Sequence, residues 1–212
     1  MAETIKKLQE EIKRLSRLVE KKDGEIERLK LVADRDFMTG LYNRNGFLLE
    51  AEKFLDEVGH SSHLKKEKRK LVIRDFSVIF IDLDDLKKIN DLYGHKAGDD
   101  FIKAAAEVFN NSLREFDVVS RWGGDEFVIG LVDADENEAR KIAFKIKKKL
   151  GRIKLVQIKG KHVFTASFGV ISAKSKRRGR DIFNLFELIE KADMAMYEAK
   201  KNKGKNFIFV LN

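Results

Sequence analysis

Hydrophobic residues recur every seven positions along the first 35 residues of the chain. They occupy two heptad positions, one holding Ile5, Ile12, Val19, Ile26 and Ala33, and the other, three residues later, Leu8, Leu15, Lys22 and Leu29. β-Branched residues at the first position and leucine at the second favour a parallel two-stranded coiled coil, although Lys22 interrupts the seam. Because the spacing continues over four heptads with few other apolar residues, it predicts a dimerisation helix over residues 1–35. The alternative is a lone amphipathic helix packed on the following domain.

Beyond residue 35 the hydrophobic pattern alternates between a helical period and a strand period. Apolar residues at helical spacing predict helices over residues 45–58, 86–92, 101–113, 136–150 and 186–202. Asp99 or Asp100 is the predicted N-cap of the third of these helices. Apolar runs rich in β-branched and aromatic residues predict strands over residues 76–81, 116–120, 127–132, 155–158, 162–172 and 206–211. The polar stretches 59–74 and 173–180 are predicted to be loops.

The order of these elements determines the expected fold. Residues 76–81 are nearly all apolar, which predicts a central strand that is buried on both faces. Strands alternate with helices around it, and one hairpin interrupts the alternation. This order predicts an α+β domain over residues 36–212, with helices packed on a central, mostly antiparallel five-stranded sheet of the ferredoxin-like or polymerase-palm type.

Composition excludes several classes of protein. The 212 residues suffice for one sizeable domain and an appendage, and the absence of cysteine excludes disulfides and cysteine-ligated metals. No apolar run approaches a membrane span and no signal peptide is visible, so we expect a soluble, cytoplasmic chain. The net charge of +9 suits an anionic partner, but the 37% of charged residues and the absence of cysteine also suit a thermophile-like surface rich in Lys and Glu.

The candidate chemistry lies in two clusters of acids. Asp82 ends the predicted central strand, and Asp125 and Glu126 follow the glycine pair of the predicted hairpin, Gly123 and Gly124. A two-residue turn requires positive φ, which glycine adopts freely, and the missing Cβ leaves room for a ligand. If the hairpin pairs beside the central strand, the carboxylates meet and can bind Mg²⁺ together with phosphate oxygens. A surface hairpin with solvated acids is the alternative.

Residues 123–127, Gly-Gly-Asp-Glu-Phe, resemble the signature of the GGDEF family, the diguanylate cyclases. Other family motifs are resembled by residues 36–44 (Asp-Phe-Met-Thr-Gly-Leu-Tyr-Asn-Arg), 81–91, 94–99 and 192–200. The resemblance extends over residues 36–212. It implies that two facing domains, each presenting one GTP, form cyclic di-GMP and release two pyrophosphates.

The resemblance also implies roles for individual residues. Asp82 and Asp125 would bind Mg²⁺ or Mn²⁺ with help from the Leu83 carbonyl, Asp125 is also a candidate base for the 3′-hydroxyl, and Glu126 would support the site. The implied substrate-binding residues are Lys87, Asn90, Asp99, Gly123, Gly124, Lys200 and Lys205. Among these, Asn90 and Asp99 would read the guanine edge and the lysines would contact phosphates. One extra residue between Lys200 and Gly204 leaves Lys201 as an alternative to Lys205.

Arg114 and Asp117 fit the family's Arg-x-x-Asp motif, which implies an allosteric site for the product rather than an ordinary surface ion pair. We therefore predict a homodimeric enzyme inhibited by its product, with no nucleic-acid partner and no membrane partner. The alternative is a catalytically weak or inactive domain that binds GTP or cyclic di-GMP as a receptor, but every expected acid is present. A DNA-binding coiled coil is excluded because the basic residues before position 36 are spread among glutamates.

Overall fold

A computed structural model of the chain describes residues 2–60, 73, 75–158, 162–174 and 184–211. The predicted loops over residues 59–74 and 173–180 therefore lie mostly outside the described residues. The helices are α1 (Ala2–Asp34), α2 (Arg44–His60), α3 (Leu86–Tyr93), α4 (His95–Asn110), α5 (Glu136–Leu150) and α6 (Leu185–Lys203). The strands are β1 (Asp75–Leu83), β2 (Val118–Gly123), β3 (Glu126–Val132), β4 (Ala166–Lys174) and β5 (Ile208–Val210).

The strands form one five-stranded sheet in the order β2-β3-β1-β4-β5. Every neighbouring pair is antiparallel except β4 and β5, which are parallel. The predicted α+β fold is thus confirmed. Strand β1 lies at the centre because its side chains are apolar on both faces. Ile79 and Ile81 pack into one core layer with α4 and α5, whereas Phe76 and Val78 pack into a second layer with α2 and α6.

The hairpin turn differs by one residue from the predicted glycine pair. Gly123 is the last residue of β2 and pairs with Glu126, so Gly124 and Asp125 form the turn. Only Gly124 of the two glycines has positive φ, at 53°. The register of β2 shifts between Arg121 and Gly123. This irregularity accounts for the difference of one residue between the predicted turn and the observed one.

Helix α4 begins six residues before the predicted start at residue 101, and ends at Asn110 rather than 113. Gly94, with φ of 85°, ends α3 and caps α4, so Asp99 and Asp100 lie inside the helix and are not its N-cap. The early start is possible because small residues follow the turn. Ala97 and Gly98 are buried and allow α4 to approach α3 closely.

The predicted strand over residues 155–158 is absent. Ile158 donates its backbone N–H to the Leu155 carbonyl at 3.1 Å, which makes this segment a turn, and the Ile158 side chain is buried in the core. Leu155 and Ile158 therefore reflect packing of a loop against the core, whereas Val156 is exposed. Strand β4 begins at Ala166, four residues later than predicted. Strand β2 begins and ends later than the predicted 116–120, and β5 is shorter than predicted. None of the helices in the described ranges is both long and apolar enough to span a bilayer.

Candidate active site

Pairing between β1 and β3 brings the two clusters of acids to one end of the sheet. Asp82 lies opposite Glu126 in the antiparallel register. One residue further on, the Leu83 N–H donates to the Asp125 carbonyl at 3.0 Å and docks the turn onto the end of β1. The candidate ligands Asp82, Leu83 and Asp125 are therefore adjacent on neighbouring backbones, as is Glu126.

The acids at this end of the sheet carry an excess of negative charge. Burial raises the pKa of the Asp82 carboxyl, and the Lys200 ammonium, 2.5 Å from Asp82 Oδ1, partly offsets this effect. Burial also raises the pKa of Glu126, to which Asp193 of α6, Asp82 and Asp125 add repulsion. A cation near these carboxylates would relieve both effects. Sequence reasoning assigned no role to Asp193, because its proximity to the hairpin depends on how α6 crosses the sheet.

The residues at this site fit a hard divalent cation. In the described residues no three His, Cys, Asp or Glu side chains are already grouped closely enough to hold a metal. Mg²⁺ does not require such a cage, since it commonly uses one or two carboxylates and takes its remaining ligands from phosphates and water. The Lys200 ammonium already forms an ion pair with the Asp82 carboxylate. The donor chemistry is all oxygen, which matches Mg²⁺ and Mn²⁺.

Asp84, two residues after Asp82, has a different environment. It is only 3% exposed, and its carboxylate accepts hydrogen bonds from Thr165 Oγ1 at 2.7 Å, Ser167 Oγ at 2.8 Å and the Asn206 N–H at 2.9 Å. These bonds tie the end of β1 to β4 and to the segment before β5. Asp84 therefore fixes the position of Asp82 and has little capacity left for a ligand. The difference between the two aspartates could not be predicted, since both occur in the same motif.

The three lysines predicted to contact phosphates are placed differently. Lys200 contacts Asp82, and Lys205 contacts Asp85 at 2.7 Å, where Lys88 also binds at 2.8 Å. These two ammonium groups lower the pKa of the Asp85 carboxyl. Lys87 is exposed on α3. Lys200 and Lys205 thus sit beside the acidic end of the sheet, and a phosphate would compete with carboxylates for them.

The predicted guanine-reading residues lie where α3 meets α4. Asn90 Oδ1 is the buried side-chain polar atom without a hydrogen-bond partner in the part of the chain that the structure describes. Gly98 faces this amide so closely that a Cβ there would lie 1.9 Å from Asn90 Oδ1. Asp99 follows Gly98 and is partly exposed. A buried acceptor without a partner costs free energy, and a ligand N–H would remove that cost.

Arg121 stabilises the hairpin turn, a role that sequence reasoning did not predict. Its guanidinium donates two hydrogen bonds to the Gly124 carbonyl, from Nε at 3.0 Å and from Nη2 at 2.9 Å. The same side chain lies 3.4 Å from Asp36 Oδ2, and both side chains are largely buried. Asp36 in turn accepts hydrogen bonds from the backbone and hydroxyl of Thr39. Two motifs 85 residues apart in the chain are thereby connected at the turn.

The segment between α1 and α2 also contacts strand β2. Tyr42 pairs in parallel with Ser120, and the Arg121 N–H donates to the Tyr42 carbonyl at 2.9 Å. Asn43 reaches back to the end of α1, where its Nδ2 donates to the Ala33 carbonyl at 2.6 Å. The end of the long helix is therefore joined through a few hydrogen bonds to the strand that carries the glycine turn.

Of the two residues of the Arg-x-x-Asp motif, Asp117 is engaged in backbone hydrogen bonds, whereas the Arg114 side chain is exposed. Asp117 accepts hydrogen bonds from the Arg114 N–H at 2.9 Å and the Val132 N–H at 3.2 Å, and burial raises the pKa of its carboxyl. It therefore holds the turn before β2. The Arg114 side chain is exposed and lines a cavity of about 520 Å³ between α4 and the segment that follows α1. Arg35 lines the same cavity.

Fold and site together are of the palm type, in which acids at the end of a central strand and in an adjacent hairpin face one side of the domain. The family described as "Diguanylate cyclase, GGDEF domain" matches residues 33–206, and the chain belongs to this family. The chain is 36% identical over 180 residues to "Diguanylate cyclase DgcM" of Escherichia coli, covering 85% of this chain and 39% of that protein. It is 33% identical over 172 residues to "Diguanylate cyclase A" of Treponema denticola, covering 81% of this chain and 42% of that protein. The chain thus spans less than half the length of these relatives.

A solved structure from Caulobacter crescentus shares the architecture of both parts of the chain. It contains the coiled coil and GGDEF domain of DgcB in complex with c-di-GMP. Its TM-score is 0.76 at 21% identity, and the alignment covers 96% of this chain and 99% of that one. At this identity the likeness concerns the fold, including the long N-terminal helix followed by the sheet domain.

Proposed function

We propose that the chain is a diguanylate cyclase, which condenses two molecules of GTP into cyclic di-GMP and releases two pyrophosphates. The observation that carries the proposal is the register of β1 and β3, which places Asp82 opposite Glu126 and beside Asp125. The three carboxylates would share a metal ion with a triphosphate, and Gly124, which has no side chain, leaves space for it in the turn. The assignment of the family and the names of its relatives support the same reaction.

The chain's own residues would supply positioning and charge. Asp82 and Asp125, with the Leu83 carbonyl, would hold Mg²⁺ or Mn²⁺, which polarises the α-phosphate and lowers the pKa of the attacking hydroxyl. Lys200 would move from Asp82 to the triphosphate when the acids gain another cation. Glu126 would add negative charge to the site, and Asp125 is the candidate acceptor of the 3′-hydroxyl proton. The two hydrogen bonds from the Arg121 guanidinium to the Gly124 carbonyl hold the turn that positions Asp125 and Glu126.

Guanine recognition would occur between α3 and α4. The Asn90 amide, whose Oδ1 is buried, and the Asp99 carboxylate can together satisfy the Watson–Crick edge of guanine, which offers N1–H and an exocyclic amine. Adenine cannot supply that pair of donors, so it would leave polar groups of the site unsatisfied. Because GTP is a cytoplasmic metabolite, we assign the activity to the cytoplasm.

Turnover of GTP tests the proposal directly. Incubation of the protein with GTP and Mg²⁺, followed by chromatography of the products, should show cyclic di-GMP and pyrophosphate in a ratio of one to two. The receptor alternative makes a different prediction, namely that GTP or cyclic di-GMP binds in calorimetry while no product forms. Binding without turnover in both Mg²⁺ and Mn²⁺ would refute the enzymatic assignment.

We further propose that residues 1–35 form a parallel coiled coil that pairs two catalytic domains of residues 36–212. In the single chain the heptad residues of α1 are strongly exposed, Ile5, Leu8, Ile12 and Leu15 among them. A second copy of the helix would bury this seam. One domain provides only one of the two GTP sites that the reaction needs, so the helix would raise the effective concentration of the second.

Separating the two helices should make the activity depend on protein concentration. Deleting residues 2–30, or replacing Leu8 and Leu15 with glutamate, should give a folded monomer that binds GTP with unchanged affinity. Its specific activity should fall at least about tenfold at low concentration and recover on concentration, since linkage typically contributes ten- to a hundredfold or more. Product formation across a dilution series, measured beside sedimentation, checks this.

The matched control is Lys13→Gln with Arg17→Gln, which lowers the net charge by the same two units at heptad positions outside the seam. This variant should stay dimeric and independent of concentration. Full, concentration-independent activity from a demonstrated monomer would contradict the role of the coiled coil.

We also propose that Arg114 belongs to a regulatory site that binds the product, cyclic di-GMP. Arginine can bind phosphate and read guanine O6 and N7 through two hydrogen bonds. The six residues of β2 separate Arg114 from the turn by roughly 20 Å, so product can bind there without entering the GTP site. Asp117 is a poor choice for mutation because it holds the local backbone.

Replacing Arg114 with alanine should therefore raise the product concentration needed for half-inhibition at least about tenfold, the loss typical of one bidentate charged contact. The uninhibited rate should stay within about twofold of the parent's, since the side chain is exposed and remote from the acids. Initial rates at increasing cyclic di-GMP, with Arg17→Ala as the control, measure both quantities. Unchanged sensitivity of Arg114→Ala would mean that the motif only shapes the turn before β2.

A further inference from the structure

Positive charge is concentrated in one part of the chain. Between Glu138 and Asp181 there is no acidic residue, and this stretch of 42 residues contains 15 lysines and arginines. The whole chain has a net charge of +9, so the other 170 residues carry a net charge of −6. The basic character of the protein therefore belongs to α5 and the segments that follow it.

Helix α5 divides these residues between two faces. Ala139, Ala143, Ile146 and Leu150 are buried against the core. The positions between them place Arg140, Lys141, Phe144 and Lys148 together on the opposite, solvent-facing side. Within the described residues none of these three basic side chains forms an ion pair or side-chain hydrogen bond. We call this face, together with Arg152 and Val163 at the end of the helix, the outer α5 surface.

The lysines on the flanks of α5 are different because they are engaged in the fold. Lys145 donates to the Ser112 carbonyl at 2.9 Å, and Lys149 donates to the Asn111 carbonyl at 3.1 Å, which together cap the end of α4. Lys147 donates to the Asn206 carbonyl at 2.6 Å. Stability of the fold thus explains the flanking lysines, whereas it does not explain the charges of the outer α5 surface.

Apolar side chains lie among these unengaged charges. Phe144 is 55% exposed between Arg140, Lys141 and Lys148, and Val163 is 63% exposed. Val163 continues the surface past the helix end, since a Cβ on Gly151 would lie 3.7 Å from Val163 Cγ1. In the turn that follows, Val156 is 93% exposed. Exposed aromatic and aliphatic residues surrounded by lysine and arginine are typical of a protein face that lies in the interface of a membrane.

We propose that the outer α5 surface docks on an anionic lipid bilayer, with its lysines and arginines at the headgroups and Phe144 and Val163 at the acyl boundary. The chemistry favours lipid over nucleic acid, because the face offers apolar groups where a nucleic-acid site would offer polar donors to bases and stacked aromatic residues. This docking would be peripheral and needs no spanning helix. It replaces the expectation of no membrane partner, which rested on the absence of membrane spans.

The experiment is sedimentation of the full chain with phosphatidylcholine vesicles, with and without about one third phosphatidylserine. The parent should bind only the anionic vesicles and should be released by high salt. Lys141→Glu with Lys148→Glu should weaken binding at least about tenfold, because each basic residue near an anionic surface contributes about a factor of five. Phe144→Ser, which leaves the charge unchanged, should weaken binding several-fold.

Lys13→Glu with Arg17→Glu on α1 changes the net charge by the same amount and should leave binding within about twofold of the parent's. If both double variants weaken binding equally, the attraction is only that of net charge and the proposal fails. It also fails if the parent binds no anionic vesicles, or if Lys141→Glu with Lys148→Glu weakens binding of a DNA duplex while vesicle binding is unaffected. Lys141→Gln with Lys148→Gln, checked by circular dichroism and GTP binding, replaces the reversal should that variant misfold.

Discussion

Replacing Asp82 with asparagine should lower the rate of cyclic di-GMP formation at least about a thousandfold, which corresponds to about 4 kcal/mol of transition-state stabilisation. Asparagine keeps the shape of the side chain and one oxygen but removes the charge that would hold Mg²⁺ against the triphosphate. Loss of a charged ligand at a site where phosphate charge develops is among the largest single effects expected in such a reaction.

The fold should survive this substitution. Burial already raises the pKa of Asp82, so a neutral side chain is tolerated at this position. Lys200 would lose its partner but is partly exposed and can turn to solvent. We therefore expect the free energy of unfolding to change by less than about 1 kcal/mol, because a partly exposed ion pair contributes little to stability.

Steady-state rates with GTP and Mg²⁺, measured beside urea unfolding, separate these two effects. Asp23→Asn provides the same chemical change on exposed α1, far from the sheet, and should retain the parent's rate. The double variant Asp82→Asn with Asp125→Asn should be little slower than either single variant, since ligands of one metal act as a unit. Turnover of Asp82→Asn within tenfold of the parent's would contradict the assignment of the metal ligands.

The sheet could be predicted because its residues have only one favourable arrangement. A strand that is apolar on both faces, such as residues 76–81, belongs in the centre, and a hairpin that pairs beside it brings the two clusters of acids together. The register that sets residue 82 opposite residue 126 is known only from the structure. Element boundaries depended on tertiary contacts. Helix α4 begins early because Gly98 allows it to approach Asn90, and residues 155–158 form a turn because Ile158 packs into the core.

The supporting residues of the site could not be predicted for a related reason. Asp82 and Asp84 are chemically identical, and only the hydrogen bonds from Thr165 and Ser167 at the start of β4 and from the Asn206 N–H make Asp84 structural. Nothing in the sequence distinguishes Arg121 from an ordinary arginine of a hairpin, because its role depends on the contact with Asp36. Local pattern identifies which residue types could do the chemistry, whereas long-range contacts decide which of them are held in place and which remain available.

Gly98→Ala should separate guanine recognition from stability. A methyl group at this position would lie 1.9 Å from Asn90 Oδ1 and 2.9 Å from its Cγ, so the Asn90 amide must rotate away. The other close atom, Leu86 Cδ1 at 3.3 Å, belongs to a flexible side chain. Because alanine is a better helix former than glycine by about 1 kcal/mol, the domain should be no less stable than the parent.

The activity with GTP should nevertheless fall, whereas the activity with ATP should hardly change. A site that hydrogen-bonds a specific edge discriminates by about ten-thousandfold or more, and much of that is lost when one buried partner moves. We expect kcat/KM for GTP to drop about a hundredfold, while the low kcat/KM for ATP hardly changes, so the ratio of the two narrows by the same factor. Asn90→Ala should give the same loss without the gain in helix stability.

Competition between GTP and ATP, with calorimetric binding of each nucleotide and thermal unfolding, measures these effects. Gly24→Ala on α1 is the matched control, because it makes the same substitution within a helix at a position with no heavy atom within 4 Å of the new Cβ. That control should show the parent's nucleotide ratio. If Gly98→Ala and Asn90→Ala both keep the parent's preference for GTP, the amide between α3 and α4 does not read the base, and guanine must be recognised elsewhere on the domain.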